Sequence, residues 1–382
     1  MKKTANVVII GGGISGCSIA YNLSKKGVKD IVLLEKDYLA SGSTGRCGAG
    51  IRQQWGTERN CKMAKLSYDF FKNAKEELEY ERDLEFKQGG YLVLASTEKE
   101  HEQFIKNVKL QNKLGISSRL INLKEAKELV PILNTKGLKS ATYYEKDGHL
   151  NPFHTTLAFA KAAKRLGVNI YKHTLVTDIL TNKGKIEGVK TNKGTIKTNI
   201  VVNAAGGHAQ VIGKMVNLDI PVFSERHQIL VTEPIKPIIK PMIISFSLNF
   251  YCQQVPHGGI IMGRGDSNEP KDLRITSGWE FLDEMTSTIT KVLPPLKDLR
   301  LIRSWAGLYN LSPDRQPILG AVDEIEGFYL AVGFSGHGFM LGPATGLLIA
   351  ETILGKNTTL PIDMYNLKRF KEGNLIFEPS VV

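Results

Sequence analysis

The stretch VVIIGGGISGCSIAYNLSKKG, which starts at Val7, leaves the chain few ways to begin folding. Its four consecutive apolar residues, Val7 to Ile10, read as a strand buried on both faces. From Ile14 onward the apolar residues fall at helical spacing, with Ile19, Ala20 and Leu23 on one side, until Gly27 ends the run. Between strand and helix stand Gly11, Gly13 and Gly16, a G-x-G-x-x-G set. Glycines so placed allow a tight turn, a close approach of pyrophosphate to backbone, and close packing of helix on strand. The N–H groups of the first helical turn then offer partial positive charge to the phosphates. A second strand, DIVLLE, ends in Glu35, where a carboxylate meets a ribose hydroxyl. The chain thus opens with a dinucleotide-binding α/β unit. The motif by itself suits a nicotinamide and a flavin equally.

Three later features separate the two. The loop SGSTGRCGAGIRQQWG follows where a nicotinamide domain would continue into another regular βα unit, and its small residues suit an extended flavin dinucleotide or a plain surface loop. The chain then returns to the nucleotide unit through NPFHTTLAFAKAAKRLGVNIYKHTLVTDIL, a hairpin turning at Asn192-Lys193-Gly194, and the strand NIVVNAAGG. Near the C-terminus, FYLAVGFSGHGFMLGPATGLLIAETILG reads as strand, glycine-rich turn and helix. A helix beginning near Gly342 aims its positive end at whatever the Gly333–Gly338 turn holds. A reduced flavin is negative on the pyrimidine side of its ring, so that end favours reduction; otherwise the turn serves close packing alone.

On GGGISG…LLEK, GSTGRCGAGIRQQWG, HGGIIMGRG, RSWAGLYNLSPDRQPILG and GFSGHGFMLGPATG, the sequence resembles the D-amino-acid-oxidase-like FAD-dependent amine oxidoreductases over essentially its whole length. Within that group it is most similar to the β subunits of heteromeric dye-linked L-proline dehydrogenase and sarcosine oxidase. The resemblance implies FAD. It places Gly11, Gly13, Ile14, Ser15 and Gly16 around the pyrophosphate, and Glu35 and Lys36 at the adenosine ribose. Ser43, Thr44 and the stretch Cys47, Gly48, Ala49, Gly50 and Ile51 would follow the ribityl chain to the ring. Val176 would face adenine, and Ala205 and Gly206 would close over the nucleotide. Gly333, Gly336, His337, Gly338, Phe339 and Met340 would cap the ring. Gly307 stands where monomeric sarcosine oxidases carry the cysteine that tethers FAD, so non-covalent FAD is expected. Met340 stands where those oxidases have a substrate-holding lysine, which moves carboxylate recognition to another cation; Arg52, directly after the flavin-side loop, is the candidate.

The expected architecture is an α/β, two-domain chain. A Rossmann-like, glutathione-reductase-type FAD domain takes 1–87, 145–220 and 304–382, and a substrate domain on a large mixed or antiparallel sheet takes 88–144 and 221–303. YLVLAS, RHQILVTEP, NFYCQQVP and GGIIMGRG supply that sheet, and the charged helix TEKEHEQFIKNVKLQNKLG covers one of its faces. His227, Tyr251, Gln253 and His257 are the candidate pocket groups, each set against an ordinary structural role. The chemistry implied is hydride transfer from a neutral secondary amine to flavin N5, giving an imine. It needs orientation, a cation and a dry pocket rather than a Ser–His–Asp set or a metal.

The reading is therefore an amino-acid dehydrogenase subunit acting on L-proline first and sarcosine second. A glycine-, opine- or hydroxyproline-type amine oxidase of the same fold, a NAD-dependent dehydrogenase, and a non-catalytic or basic RNA-modifying flavoprotein are the alternatives. A partner α subunit is expected, and the heteromeric relatives hold an FMN at the boundary with theirs. The histidine that carries FMN in sarcosine oxidases falls on Pro152, with His149 and His154 nearby, which leaves only a non-covalent FMN open.

Bulk properties agree with this reading. A chain of 382 residues exceeds what one core usually serves. Cys17, Cys47, Cys61 and Cys252 form no C-x-x-C pair, which argues against disulfides, zinc or iron–sulfur ligation. The net charge of +12 is spread over helix faces and turns rather than gathered for nucleic acid. No apolar run spans a membrane and no cleavage site follows the first strand, so a cytosolic place is expected, with membrane contact only through a partner or electron acceptor.

Overall fold

The computed structural model describes residues 1–266 and 268–379. Val7–Ile10 lies inside a six-stranded sheet ordered Ile318–Ala321, Phe328–Val332, Val201–Asn203, Val7–Ile10, Ile31–Leu34, Asn169–Tyr171. All neighbours are parallel except the first pair. Because side chains alternate along a strand, Val7 and Ile9 enter one apolar core while Val8 and Ile10 enter another. The first core lies under the helices Ile14–Lys25, Glu58–Lys72, Pro152–Arg165 and Gly338–Ile353. The second lies under the three-stranded antiparallel sheet of Val176–Asn182, Lys185–Thr191 and Gly194–Lys197. The nucleotide-type unit is a three-layer sandwich, as an uninterrupted apolar strand requires.

The second large sheet has eight strands in the order Leu301–Leu311, Phe223–Thr232, Ile260–Arg264, Phe250–Gln254, Met242–Ser245, Tyr91–Ala95, Ser140–Tyr144, Arg119–Ile121. It is mixed, since Met242–Ser245 runs parallel to Tyr91–Ala95 and the other pairs are antiparallel. Trp279–Val292 packs Phe281, Met285 and Ile289 into the core on one face. On the opposite face, Phe104 of the helix Glu98–Lys113 joins Tyr91, Val93 and Tyr251. Thr97 and Glu100 form a capping box that fixes where that helix starts.

Two sequence expectations shift. The last long helix begins at Gly338, not near Gly342, and carries Pro343 inside it. A proline there forgoes only one bond near the helix start, so the earlier turn survives. The expected boundary between 303 and 304 falls inside the strand Leu301–Leu311, which pairs along its whole length with Phe223–Thr232.

Candidate active site

A single cavity of about 420 Å³ runs between the two sheets, from Glu35 and Val176 past Gly11–Ser15 and Ser43–Gly50 to Tyr251, His337 and Met340. Two helices begin on it. Ile14–Lys25 has Gly13 at its N-cap and Gly338–Ile353 has His337; neither N-cap side chain bonds the first turn, and neither first turn holds an acidic residue. Three other helices are capped by their N-cap side chains, Thr97, Asn122 and Asn151, the last accepting from the N–H groups of Phe153 and His154. The two helix ends facing the cavity thus keep their partial positive charge for a ligand.

The turn after the first strand is shaped by close approach. Gly11 sits at φ +116°, and a Cβ there would lie 2.3 Å from the Ala204 carbonyl oxygen. A Cβ on Gly16 would lie 2.0 Å from the carbonyl oxygen of Gly11, although Gly16 itself does not line the cavity. Its function is helix–strand packing. Glu35 receives the N–H groups of Gly12 and Asp37, each at 2.8 Å, which holds its carboxylate at the end of the second strand. Thr44 Oγ1 accepts the Ile14 N–H at 3.2 Å and Ser43 Oγ donates to the Leu308 carbonyl at 2.6 Å. These two hydroxyls therefore pin the small-residue loop to the helix start and to the large sheet.

At the far end the walls are side chains. His227 is stacked between Tyr309 (centroids 4.1 Å apart) and Tyr251 (5.7 Å), with its neighbours within 10° of parallel. Burial pushes its pKa down to about 4, and its Nε2 has no hydrogen-bond partner. Arg52 is 2% exposed; its guanidinium donates to the Gln54 carbonyl and lies 4.2 Å from the Trp55 ring centroid. Burial lowers its proton affinity, opposed in part by Tyr91, Glu378 and Asp147. Gln253 does not line the cavity but donates to the Gly48 carbonyl at 2.7 Å and braces the loop from behind, its Oε1 buried without a partner. Ile51 and Gly333 lie just behind the lining, and Ile51 is buried in the core. Lys36, Cys47, Ala205, Gly206, Gly307, Gly336 and Phe339 line the cavity.

One expectation fails. His257 is exposed in the turn after Phe250–Gln254 and is not part of the lining, because the strand ends before reaching it. Other residues went unforeseen. Tyr309 lies within AGLYNLSPD, and its aromatic ring in that motif was an available signal. Asp147 left no signal. It is fully buried beneath the loop and accepts from the Gln53 N–H at 3.0 Å and from the amides of Gln53 and Gln54, and burial pushes its pKa up to about 7.

This donor set fits FAD. The cavity extends from Glu35 and Val176 to Tyr251 and Met340, glycine backbone and a helix end meet at the place for a pyrophosphate, and a second helix end meets the place for the ring. A nicotinamide unit would not need the second helix end.

Comparison with known proteins agrees with the geometry. The family model for FAD dependent oxidoreductase (DAO) matches residues 6–352. Sarcosine oxidase subunit beta of Rhodobacter capsulatus is 29% identical over 99% of this chain and 91% of its own length. Mitochondrial dimethylglycine dehydrogenase of Rattus norvegicus is 30% identical over 97% of this chain and 45% of its own length. The solved structure of an L-proline dehydrogenase from P. horikoshii matches with a TM-score of 0.93 at 42% identity, covering 98% of this chain and 100% of that one. A glycine oxidase from Bacillus cereus matches with a TM-score of 0.82 at 27% identity, over 93% of this chain and 96% of its own. The nicotinamide alternative falls with these matches: the chain belongs to the FAD-dependent oxidoreductase family and is an FAD-dependent enzyme.

Proposed function

We propose that this enzyme oxidises a secondary amino acid, L-proline before sarcosine, as the catalytic subunit of a heteromeric dehydrogenase. The observation that carries this reading is the ring end of the cavity, where one buried cation, Arg52, and an aromatic wall holding the neutral His227 occur together. The likeness to an L-proline dehydrogenase at 42% identity supports the choice of substrate, and the sarcosine oxidase β subunits support a partner chain.

Bound FAD supplies the acceptor for the hydride that leaves a carbon bonded to the substrate nitrogen. The chain's own residues do the rest. Arg52 would take the substrate carboxylate in a charge-assisted pair, since buried guanidinium suits planar anions. Tyr251, Tyr309 and the apolar wall exclude water, which lowers the cost of the neutral amine relative to the ammonium. His227, kept neutral by burial, would accept a hydrogen bond from the amine N–H at Nε2 and fix which face of the substrate turns inward. The first turns of Ile14–Lys25 and Gly338–Ile353 would hold negative charge at the phosphates and beside the ring, with Gly11, Gly13, Ile14 and Ser15 at the first and His337 to Met340 at the second. The same reading divides the chain into a nucleotide domain on the six-stranded sheet and a substrate domain on the eight-stranded one.

The test is an anaerobic visible spectrum of the purified protein before and after L-proline, then sarcosine. L-Proline is expected to bleach the yellow band. A yellow protein bleached by neither would overturn the substrate assignment.

A further inference from the structure

The segment Asn374–Pro379 returns across the molecule to the loop that carries Arg52. Its side chains alternate: Phe377 is 84% exposed, while Ile376 and Glu378 turn inward. Glu378 is 3% exposed, and its carboxylate accepts from the Gly56 N–H at 2.8 Å, the Thr57 hydroxyl at 2.7 Å and the Asn60 amide at 2.8 Å. These donors flank the start of the helix Glu58–Lys72, whose own N-cap residue, Thr57, makes no side-chain capping bond. A carboxylate from elsewhere in the chain therefore ties down the turn that enters this helix and sets a negative charge at the helix's positive end.

What Glu378 holds leads straight to the substrate end. Gly56 follows Trp55, whose indole N–H donates to the Arg52 carbonyl at 3.0 Å and whose ring carries the Arg52 guanidinium. The same ring meets His337 edge-on, with centroids 4.7 Å apart. Trp55 is 1% exposed, and its carbonyl accepts from the Gln111 amide at 2.7 Å. The plate beneath Arg52 is thus clamped on one side by Gln111 and on the other by Glu378.

The segment is anchored independently of that contact. Asp314 accepts the Ile376 N–H at 3.2 Å and holds Arg369 through two bonds of 2.8 and 2.9 Å, and Arg369 is almost wholly buried. Tyr365, one turn earlier, donates to Asn60 at 3.1 Å. The Glu378 carboxylate is therefore delivered by a fixed strap rather than by a loose end.

We infer that Glu378 is a positioning residue for substrate binding: it sets the Gly56–Trp55 plate on which Arg52 lies, and through it the reach of Arg52 toward the substrate carboxylate. This rests on the reading of Arg52 given above. Small displacements of a binding group are costly because the oriented geometry is what the site supplies.

The experiment compares Glu378→Ala, Glu378→Asp, Arg52→Met and the double variant Glu378→Ala/Arg52→Met as FAD-loaded protein. The readouts are flavin content, kcat and KM for L-proline. Glu378→Ala is expected to raise KM roughly tenfold or more, with kcat and flavin content within about twofold of the parent. Glu378→Asp, which keeps the charge, recovers part of the loss. In the Arg52→Met background Glu378→Ala adds nothing further, because both changes act on one contact. An Arg52→Met effect on KM with none from Glu378→Ala overturns this inference alone. No effect on KM from Arg52→Met overturns both the inference and the role given to Arg52. Parallel loss of flavin and kcat in Glu378→Ala and Glu378→Asp alike identifies the strap as merely structural, and overturns the inference too.

Discussion

The two ends of the cavity are built from different materials. At the glycine-rich end, the place for a pyrophosphate, the chain presents backbone: glycines whose absent side chains make room, a helix end whose N-cap, Gly13, has no side chain to cap it, and Glu35 held by two N–H groups. At the ring end it presents side chains drawn from distant segments, several of them buried polar groups held in unusual states, such as the low-pKa His227 and the desolvated Arg52. A phosphate asks for many weak donors in fixed directions, which backbone provides. A small amino acid asks for one charge and a dry, shaped wall, which only side chains provide.

The largest test of that contrast is Gly16→Val. The new Cβ would fall 2.0 Å from the Gly11 carbonyl oxygen, and overpacking against backbone costs about 3 kcal/mol or more. A roughly hundredfold loss of FAD affinity is expected, read as colourless protein after gel filtration. Retention of full colour would break the claim that backbone approach governs this end.

The dry character of the ring end is tested by His227→Phe, which keeps the stack but removes the titrating nitrogen. In the folded protein His227 takes its proton only near pH 4, against 6.5 for the ordinary side chain. Unfolding therefore takes up a proton between those values, and the stability linked to neutral His227 is present above pH 6.5 and lost as pH falls toward 4. His149 and His337 act in the same direction, with values pushed down to about 4 and about 3, whereas Asp147, raised to about 7, acts oppositely. The stability of His227→Phe relative to the parent should consequently rise by about 2 kcal/mol between pH 7 and pH 5 in denaturant melts. Equal pH dependence in both proteins would mean that water reaches the imidazole.

The smallest effect is expected from Thr44→Val at the backbone-built end. It removes the acceptor for the Ile14 N–H, a cap-like contact of about 1 kcal/mol, and bound phosphate takes over the freed donor. FAD affinity should change less than about fivefold in a titration of apoprotein. A larger loss would show that side chains matter at this end as well.

The same contrast governs what could be read without a structure. Strand, turn, helix and Glu35 lie within one short stretch, so their spacing encodes their geometry, and the cavity does run along Gly11–Ser15 and Glu35. The mixed eight-stranded sheet was foreseeable from its apolar strands, but its pairings were not, since nothing local makes Met242–Ser245 run parallel to Tyr91–Ala95. His257 read as well as His227 in sequence. Strand length alone separated them, ending at Gln254 and leaving His257 in water.

By itself the sequence determined the dinucleotide unit, the FAD-dependent family and the small-residue loop that lines the cavity, because each is specified by residues near one another in the chain. Only the tertiary structure decided that His227 lies between two tyrosines, that Asp147 supports the Arg52 loop from 95 residues away in the chain, and that Glu378 ties down the turn into a helix that begins more than 300 residues before it. Burial and mutual orientation are properties of packing, and packing joins residues whose separation along the chain carries no signal.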